Sequence, residues 1–168
     1  ASRVSVSEHF QVVATGDVNG DGYDDLITSD PTYSSVYPEP GGEKMGKVYI
    51  YPGNKEGFGK TPIWTSSGDN QELALYGYSV AAAGDVNNDS CDDWIVSTPN
   101  YKSSAGKAYL YLGNKITLNT TPVWTVTGSA AAKYGTSVAI VGDVNKDGCD
   151  DWLVGAMGTA SAGKAYLY

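Results

Sequence analysis

The stretch GDVNGDGYDDLI, residues 16–27, returns as GDVNNDSCDDWI at 84–95 and as GDVNKDGCDDWL at 142–153. Counting from the first aspartate, each copy sets Asp, Asn, Asp and Asp at positions 1, 3, 5 and 9. These are Asp17, Asn19, Asp21 and Asp25 in the first copy, and Asp85, Asn87, Asp89 and Asp93 in the second. In the third they are Asp143, Asn145, Asp147 and Asp151. Oxygen-bearing side chains alternating along a tight loop converge on one point, and hard oxygen donors at that density suit Ca²⁺. The backbone carbonyl at position 7, from Tyr23, Cys91 or Cys149, supplies a fifth oxygen. The expectation is one Ca²⁺ site per repeat, three in all.

Position 6 must turn sharply, often with positive φ, which Gly22 and Gly148 allow at little cost. The middle loop has Ser90 there, which predicts the weakest or most strained of the three sites. Position 8 is acidic as well (Asp24, Asp92, Asp150), but its parity points it away from position 9 and towards water.

Asn, Asp and Gly also favour turns that hold no metal. Three copies with one donor spacing argue against that reading. Twelve of the nineteen acidic residues fall in these loops, and crowding them without a cation is costly. Three divalent cations would set six positive charges against the formal −8 and leave −2. An EF-hand needs a bidentate Glu at position 12, between helices. A dockerin module likewise wants an acidic residue there, followed by a helix. Position 12 is Thr28, Val96 or Val154, and DDLITS, DDWIVS and DDWLVG read as strands.

Working outward, YGYSVAAAGDV (76–86) and YGTSVAIVGDV (134–144) precede two of the loops, with HFQVVATGDV (9–18) as a degenerate first copy. GKVYIYPGN (46–54), GKAYLYLGN (106–114) and GKAYLY (163–168) follow, then TPIWTSSG (61–68) and TPVWTVTG (121–128). Successive loops start 68 and then 58 residues apart, the excess coming mostly from the insertion TYSSVYPEPGGEK at 32–44. Each unit reads as four short strands, in the first repeat near 11–17, 24–29, 46–51 and 61–66. No stretch sustains helical periodicity. Four strands at a period near 60 predict all-β architecture built from β-propeller blades.

The segments YGxSVA, DxNxDGxxD and IVSTP (95–99) or LVGAM (153–157) resemble the FG-GAP repeats of integrin α-subunit propellers and their bacterial and fungal relatives. The resemblance covers nearly the whole chain, although His9 replaces the Gly of FG in the first repeat and no copy spells GAP. It divides the chain into a strand at 1–8, repeat 1 at 9–75, repeat 2 at 76–133 and an incomplete repeat 3 at 134–168. The third repeat ends before its fourth strand, and ASRVSV (1–6) reads as a lone strand able to complete a blade. Three blades cannot close a ring by themselves, since propellers have about four to eight. The completing strand is therefore expected from another chain, in a ring or an open head-to-tail filament; a fragment of a longer propeller is the alternative.

An acidic chain with 11 Lys and Arg against 19 Asp and Glu lacks the electrostatic footprint for nucleic acid. No apolar run is long enough to insert in a membrane. The start at Ala1 without Met is compatible with a mature exported chain, and weak calcium loops suit an extracellular or cell-surface setting. Cys91 and Cys149 share a repeat position and are expected as buried free thiols, with an intrachain or intermolecular disulfide still open. The recurring Trp64, Trp94, Trp124 and Trp152 read as packing residues. Asn119-Thr120-Thr121 forms a glycosylation sequon.

His9 is the only histidine, and GxSxG and HExxH are absent, so no enzyme is expected. The leading expectation is an extracellular, calcium-stabilised module for adhesion or self-assembly, a homo-oligomer or polymer through its terminal strands. The insertion at 32–44 is the candidate contact loop for a protein ligand. Alternatives are a lectin-like propeller with a glycan site at Tyr33, Tyr37 or Tyr101, and an accessory propeller of a larger secreted enzyme.

Overall fold

The computed structural model describes residues 11–34, 44–69, 71–158 and 162–168. The expected strand at 1–6, His9, Tyr37 and most of the insertion lie outside the described residues. What remains is all-β, apart from a tight turn at Tyr101–Ser104 in which Lys102, Ser103 and Ser104 have positive φ. The first sheet is an antiparallel meander of β1 (Gln11–Gly16), β2 (Asp25–Asp30), β3 (Lys47–Tyr51) and β6 (Trp64–Ser66). A small hairpin, β4 (Gly53–Asn54) with β5 (Gly57–Phe58), fills the β3–β6 connection.

The second sheet repeats the meander with β7 (Val80–Gly84), β8 (Asp93–Thr98), β9 (Lys107–Tyr111) and β10 (Trp124–Thr127). The third has β11 (Tyr134–Gly142), β12 (Asp151–Ala156) and β13 (Lys164–Leu167). Each Asp-rich phrase therefore joins the first two strands of a sheet. In the first sheet the bulge of the first strand lies back from the loop, between Val12 and Ala14; in the second and third it lies beside the loop, between Ala82 and Gly84 and between Ile140 and Gly142. In those two the extra residue bends and twists the strand just where the chain must enter the loop.

The period-2 alternation of each strand becomes the packing between sheets. In the second sheet Trp94, Val96, Tyr109 and Tyr111 face the first sheet, where they meet Ile27, Val48, Ile50 and Trp64. Ile95, Ala108 and Leu110 face the third sheet and meet Tyr134, Val138, Val154 and Ala156. The middle sheet is thus apolar on both faces, which is why β8 is buried along its whole length. Each Val, Leu or Ile among them, taken fully from water, contributes roughly 1.5–3 kcal/mol.

An aromatic triad marks both junctions. Trp64 meets Trp94 edge-on at 5.1 Å between centroids, and Trp94 stacks on Tyr111 at 5.6 Å. Trp124, Trp152 and Tyr168 reproduce the set, at 5.7 Å edge-on and 5.9 Å stacked. The four tryptophans are packing residues, one from a fourth strand and one from the next sheet's second strand at each junction.

The two ends of the stack differ. On the first sheet the outward-facing Leu26, Thr28 and Tyr51 are buried. On the third, Ala139 and Ala165 are exposed, and Leu167 and Val144 keep 54% and 52% of their surface in water. The strand β13 is exposed throughout, and among the described residues no fourth strand pairs with it.

Candidate metal centre

All three Asp-rich loops fold onto one template. In the first, the Asp21 amide donates to Asp17 Oδ1 (3.0 Å) and Asn19 Oδ1 (2.9 Å), the Gly22 amide to Asp17 Oδ2 (2.8 Å) and the Tyr23 amide to Asp21 Oδ1 (2.9 Å). In the second, Asp85 and Asn87 accept from the Asp89 amide, Asp85 from Ser90 and Asp89 from Cys91, all within 2.8–3.0 Å. In the third, Asp143, Asn145 and Asp147 hold the amides of Asp147, Gly148 and Cys149 in the same way, within 2.8–3.1 Å.

Position 6 has positive φ in every loop, +90° at Gly22, +66° at Ser90 and +93° at Gly148. Ser90 thus takes the left-handed conformation that glycine adopts more cheaply, which is the strain the sequence predicts. Position 4 is left-handed too, at Gly20, Asn88 and Lys146. Gly20 and Asn88 are residue types that take this conformation readily, whereas Lys146 is not.

The position-9 aspartates are the structural anchors. Asp25 accepts from the amides of Val18 (3.2 Å) and Gly53 (2.8 Å), and Asp93 from those of Val86 (2.9 Å) and Gly113 (2.8 Å). Asp151 accepts from the Val144 amide at 2.8 Å. Asp25 and Asp93 are fully buried and Asp151 nearly so. Burial pushes the Asp25 carboxyl up to about 6 and the Asp93 carboxyl to about 7, against the lowering effect of their backbone donors and with help from the loop carboxylates nearby.

Among the described residues, no three carboxylates are drawn into a ready-made cage. Instead their oxygens rest on the amides of their own loops. The donor set still fits a hard divalent cation. It is all oxygen, and it includes the Asp25 and Asp93 carboxylates, which are buried at the base of their loops.

Two of the three position-8 aspartates, Asp92 and Asp150, correct the expectation that they face water. Asp92 turns into the junction, where its Oδ2 accepts from the Asp17 amide at 2.8 Å, and its own amide donates to the Asp17 carbonyl at 2.9 Å. Asp150 does the equivalent with its amide, which donates to the Asp85 carbonyl at 3.2 Å. Asp24, in the first sheet, stays exposed. The neighbouring repeat, not the local strand parity, sets where the Asp92 side chain goes.

Both cysteines are free thiols. Cys91 is buried under the first loop, and Cys149 is only half-buried. Of the tyrosines considered for a glycan, Tyr33 lies under the Lys47 ammonium (5.0 Å) and Tyr101 under that of Lys107 (5.1 Å). No helix among the described residues is long and apolar enough to cross a membrane.

The repeats are similar to known proteins. The FG-GAP repeat model matches residues 10–51, 76–111 and 134–168. Human integrin alpha-11 is 32% identical over 153 residues, covering 88% of this chain and 12% of the relative. Human integrin alpha-8 is 31% identical over 163 residues, covering 93% and 15%, and Xenopus laevis integrin alpha-4 is 27% identical over 154 residues, covering 89% and 14%. The chain therefore spans only about an eighth to a seventh of these relatives' length. With three loops on one template, three sheets stacked as blades and a family model matching each repeat, the chain belongs to the FG-GAP repeat family.

Proposed function

We propose that this chain is a non-enzymatic, extracellular β-propeller module for adhesion or assembly, held rigid by Ca²⁺ in its three loops. The observation that carries the reading is the triplicate donor set: Asp17, Asn19, Asp21 and Asp25 and their two repeats keep the same internal hydrogen bonds. The relatives are integrin alpha chains, which supports an adhesion-type role at the cell surface. The side chains at positions 1, 3, 5 and 9, with the carbonyls of Tyr23, Cys91 and Cys149, would hold the cations. When bound, Ca²⁺ supplies the positive charge that the buried position-9 carboxylates lack. The chain's own part is to hold those carboxylates on backbone amides, Val18 and Gly53 for Asp25, Val86 and Gly113 for Asp93, and Val144 for Asp151, so that ordering a loop also orders the connections around it.

Calorimetric titration with Ca²⁺ tests this, with three sites per chain as the expected result. The folded state alone binds, so saturation at about 100 times Kd adds about 2.7 kcal/mol of stability per site. The melting temperature should therefore fall in excess chelator. No calcium uptake and an unchanged melting temperature would remove the reading.

Self-assembly is the finer reading, supported by the exposed β13 edge. Unpaired N–H and C=O groups on such an edge template strand addition, and the segment 1–6 of a neighbouring copy is the proposed donor.

A further inference from the structure

We propose that Asp92 is a positioning residue that couples the first two loops, so that a cation held in one raises the affinity of the other. This rests on the calcium reading above. Asp17 is bonded to Asp92 through both its amide and its carbonyl, while its side chain holds the Asp21 and Gly22 amides of its own loop. Asp92 in turn lies between two donors of the second loop, the Cys91 carbonyl and the buried Asp93 carboxylate. Fixing the Asp17 backbone therefore fixes the segment that carries two oxygens of the next site.

A second bridge runs beside the first. The Asp25 carboxylate accepts from the Val18 amide, and the Val18 carbonyl accepts from the Asn114 amide at 2.9 Å. The adjacent Gly113 amide donates to Asp93 Oδ1 at 2.8 Å. The position-9 carboxylates of the two loops are thus tied by an unbroken run of backbone, and Val18 at its centre is fully buried. Buried, satisfied networks of this kind have few alternative arrangements, which is what lets one site bias another.

The junction also explains two glycines. A Cβ built on Gly16 would lie 2.8 Å from Asp92 Oδ2, and one on Gly84 would overlap Asp150 Oδ2. At Gly142, where no further loop follows among the described residues, the same Cβ meets nothing within 4 Å. The glycine before the loop leaves room for the next repeat's position-8 carboxylate.

The test uses full-length chains with the third loop silenced by Asp147→Ala, titrated with Ca²⁺ by calorimetry. Adding Asp21→Ala removes a first-loop donor that touches neither Asp92 nor Val18. The expected result is one site fewer and a second-loop affinity weaker by about fivefold or more, the lower end of ordinary coupling. Placed in an Asp92→Ala background, Asp21→Ala should still remove one site but change the remaining affinity far less. Asp92→Asn, which keeps an acceptor oxygen, should restore the cross-effect.

A purely structural role for Asp92 would lower the melting temperature and leave the cross-effect intact, and that result overturns the proposal. So does a second-loop affinity that ignores Asp21→Ala, a comparison that stands even if Asp92→Ala fails to fold. A wild-type chain that takes up no calcium overturns the calcium reading itself, and the coupling with it.

Discussion

Ser90 is the one position-6 residue that is not glycine, and it sits at φ +66°. A left-handed conformation costs an L-residue about 1–2 kcal/mol, and glycine avoids this at some cost in unfolded-state entropy. Ser90→Gly should therefore stabilise the chain by about 0.5–1 kcal/mol, read as a shift of the denaturation midpoint at constant slope. An unchanged or lower midpoint would mean that the Ser90 side chain contributes something the backbone argument lacks. The same strain ranks the donors. Asp21→Ala and Asp147→Ala should each lose more calcium-dependent stabilisation than Asp89→Ala, measured as the difference in melting temperature with and without chelator. Equal losses would remove the ranking.

At the scale of the elements, the loops serve as connectors between blades as well as turns within them. Gly84 and Gly142 occupy the same repeat position, both with positive φ, at +59° and +69°. Only Gly84 lies under a position-8 carboxylate. Gly142→Ala should cost about 1 kcal/mol from backbone strain alone. Gly84→Ala adds an overlap with Asp150 that the sheets must shift to relieve, so about 2–3 kcal/mol is expected. Chemical denaturation of the two variants checks this, and equal costs would mean that Asp150 swings aside freely. Within the sheets, the Trp64–Trp94–Tyr111 triad and its copy hold successive meanders face to face, so a strand's alternation is spent on two neighbours.

Across the stack as a whole, the described residues of the two outer sheets differ in exposure. On the outward face of the first sheet Leu26, Thr28 and Tyr51 are buried, whereas β13 and the face bearing Ala139, Ala165 and Leu167 meet water. Association through the β13 edge should therefore give particles larger than a monomer in calcium. Deleting residues 1–7 should release monomers that keep three calcium sites. Light scattering with calcium titration decides both points; a monomeric full-length chain, or an assembly that survives the deletion, would sink the terminal-strand reading.

Much of this was legible in the sequence because it is written in short-range terms. Strand alternation, the 1, 3, 5, 9 donor spacing and the glycine at position 6 each depend on a few neighbouring residues, and threefold repetition separated them from chance. The four strands of a repeat followed for the same reason: apolar alternation bounded by Gly, Pro and Asn is a local property. The role of Asp92 was not legible. Its partner Asp17 lies 75 residues away, and local parity sent its side chain to water. The left-handed position 4 was half-hidden, since Gly20 and Asn88 favour that conformation while Lys146 takes it only because the loop closure imposes it. Repeat, blade and the spacing of oxygen side chains along each loop are properties of neighbouring residues and could be read before any fold was known. Only the tertiary structure decided how one loop meets the next, because that contact depends on two sheets packing at a fixed offset, and burial of their facing side chains sets the offset.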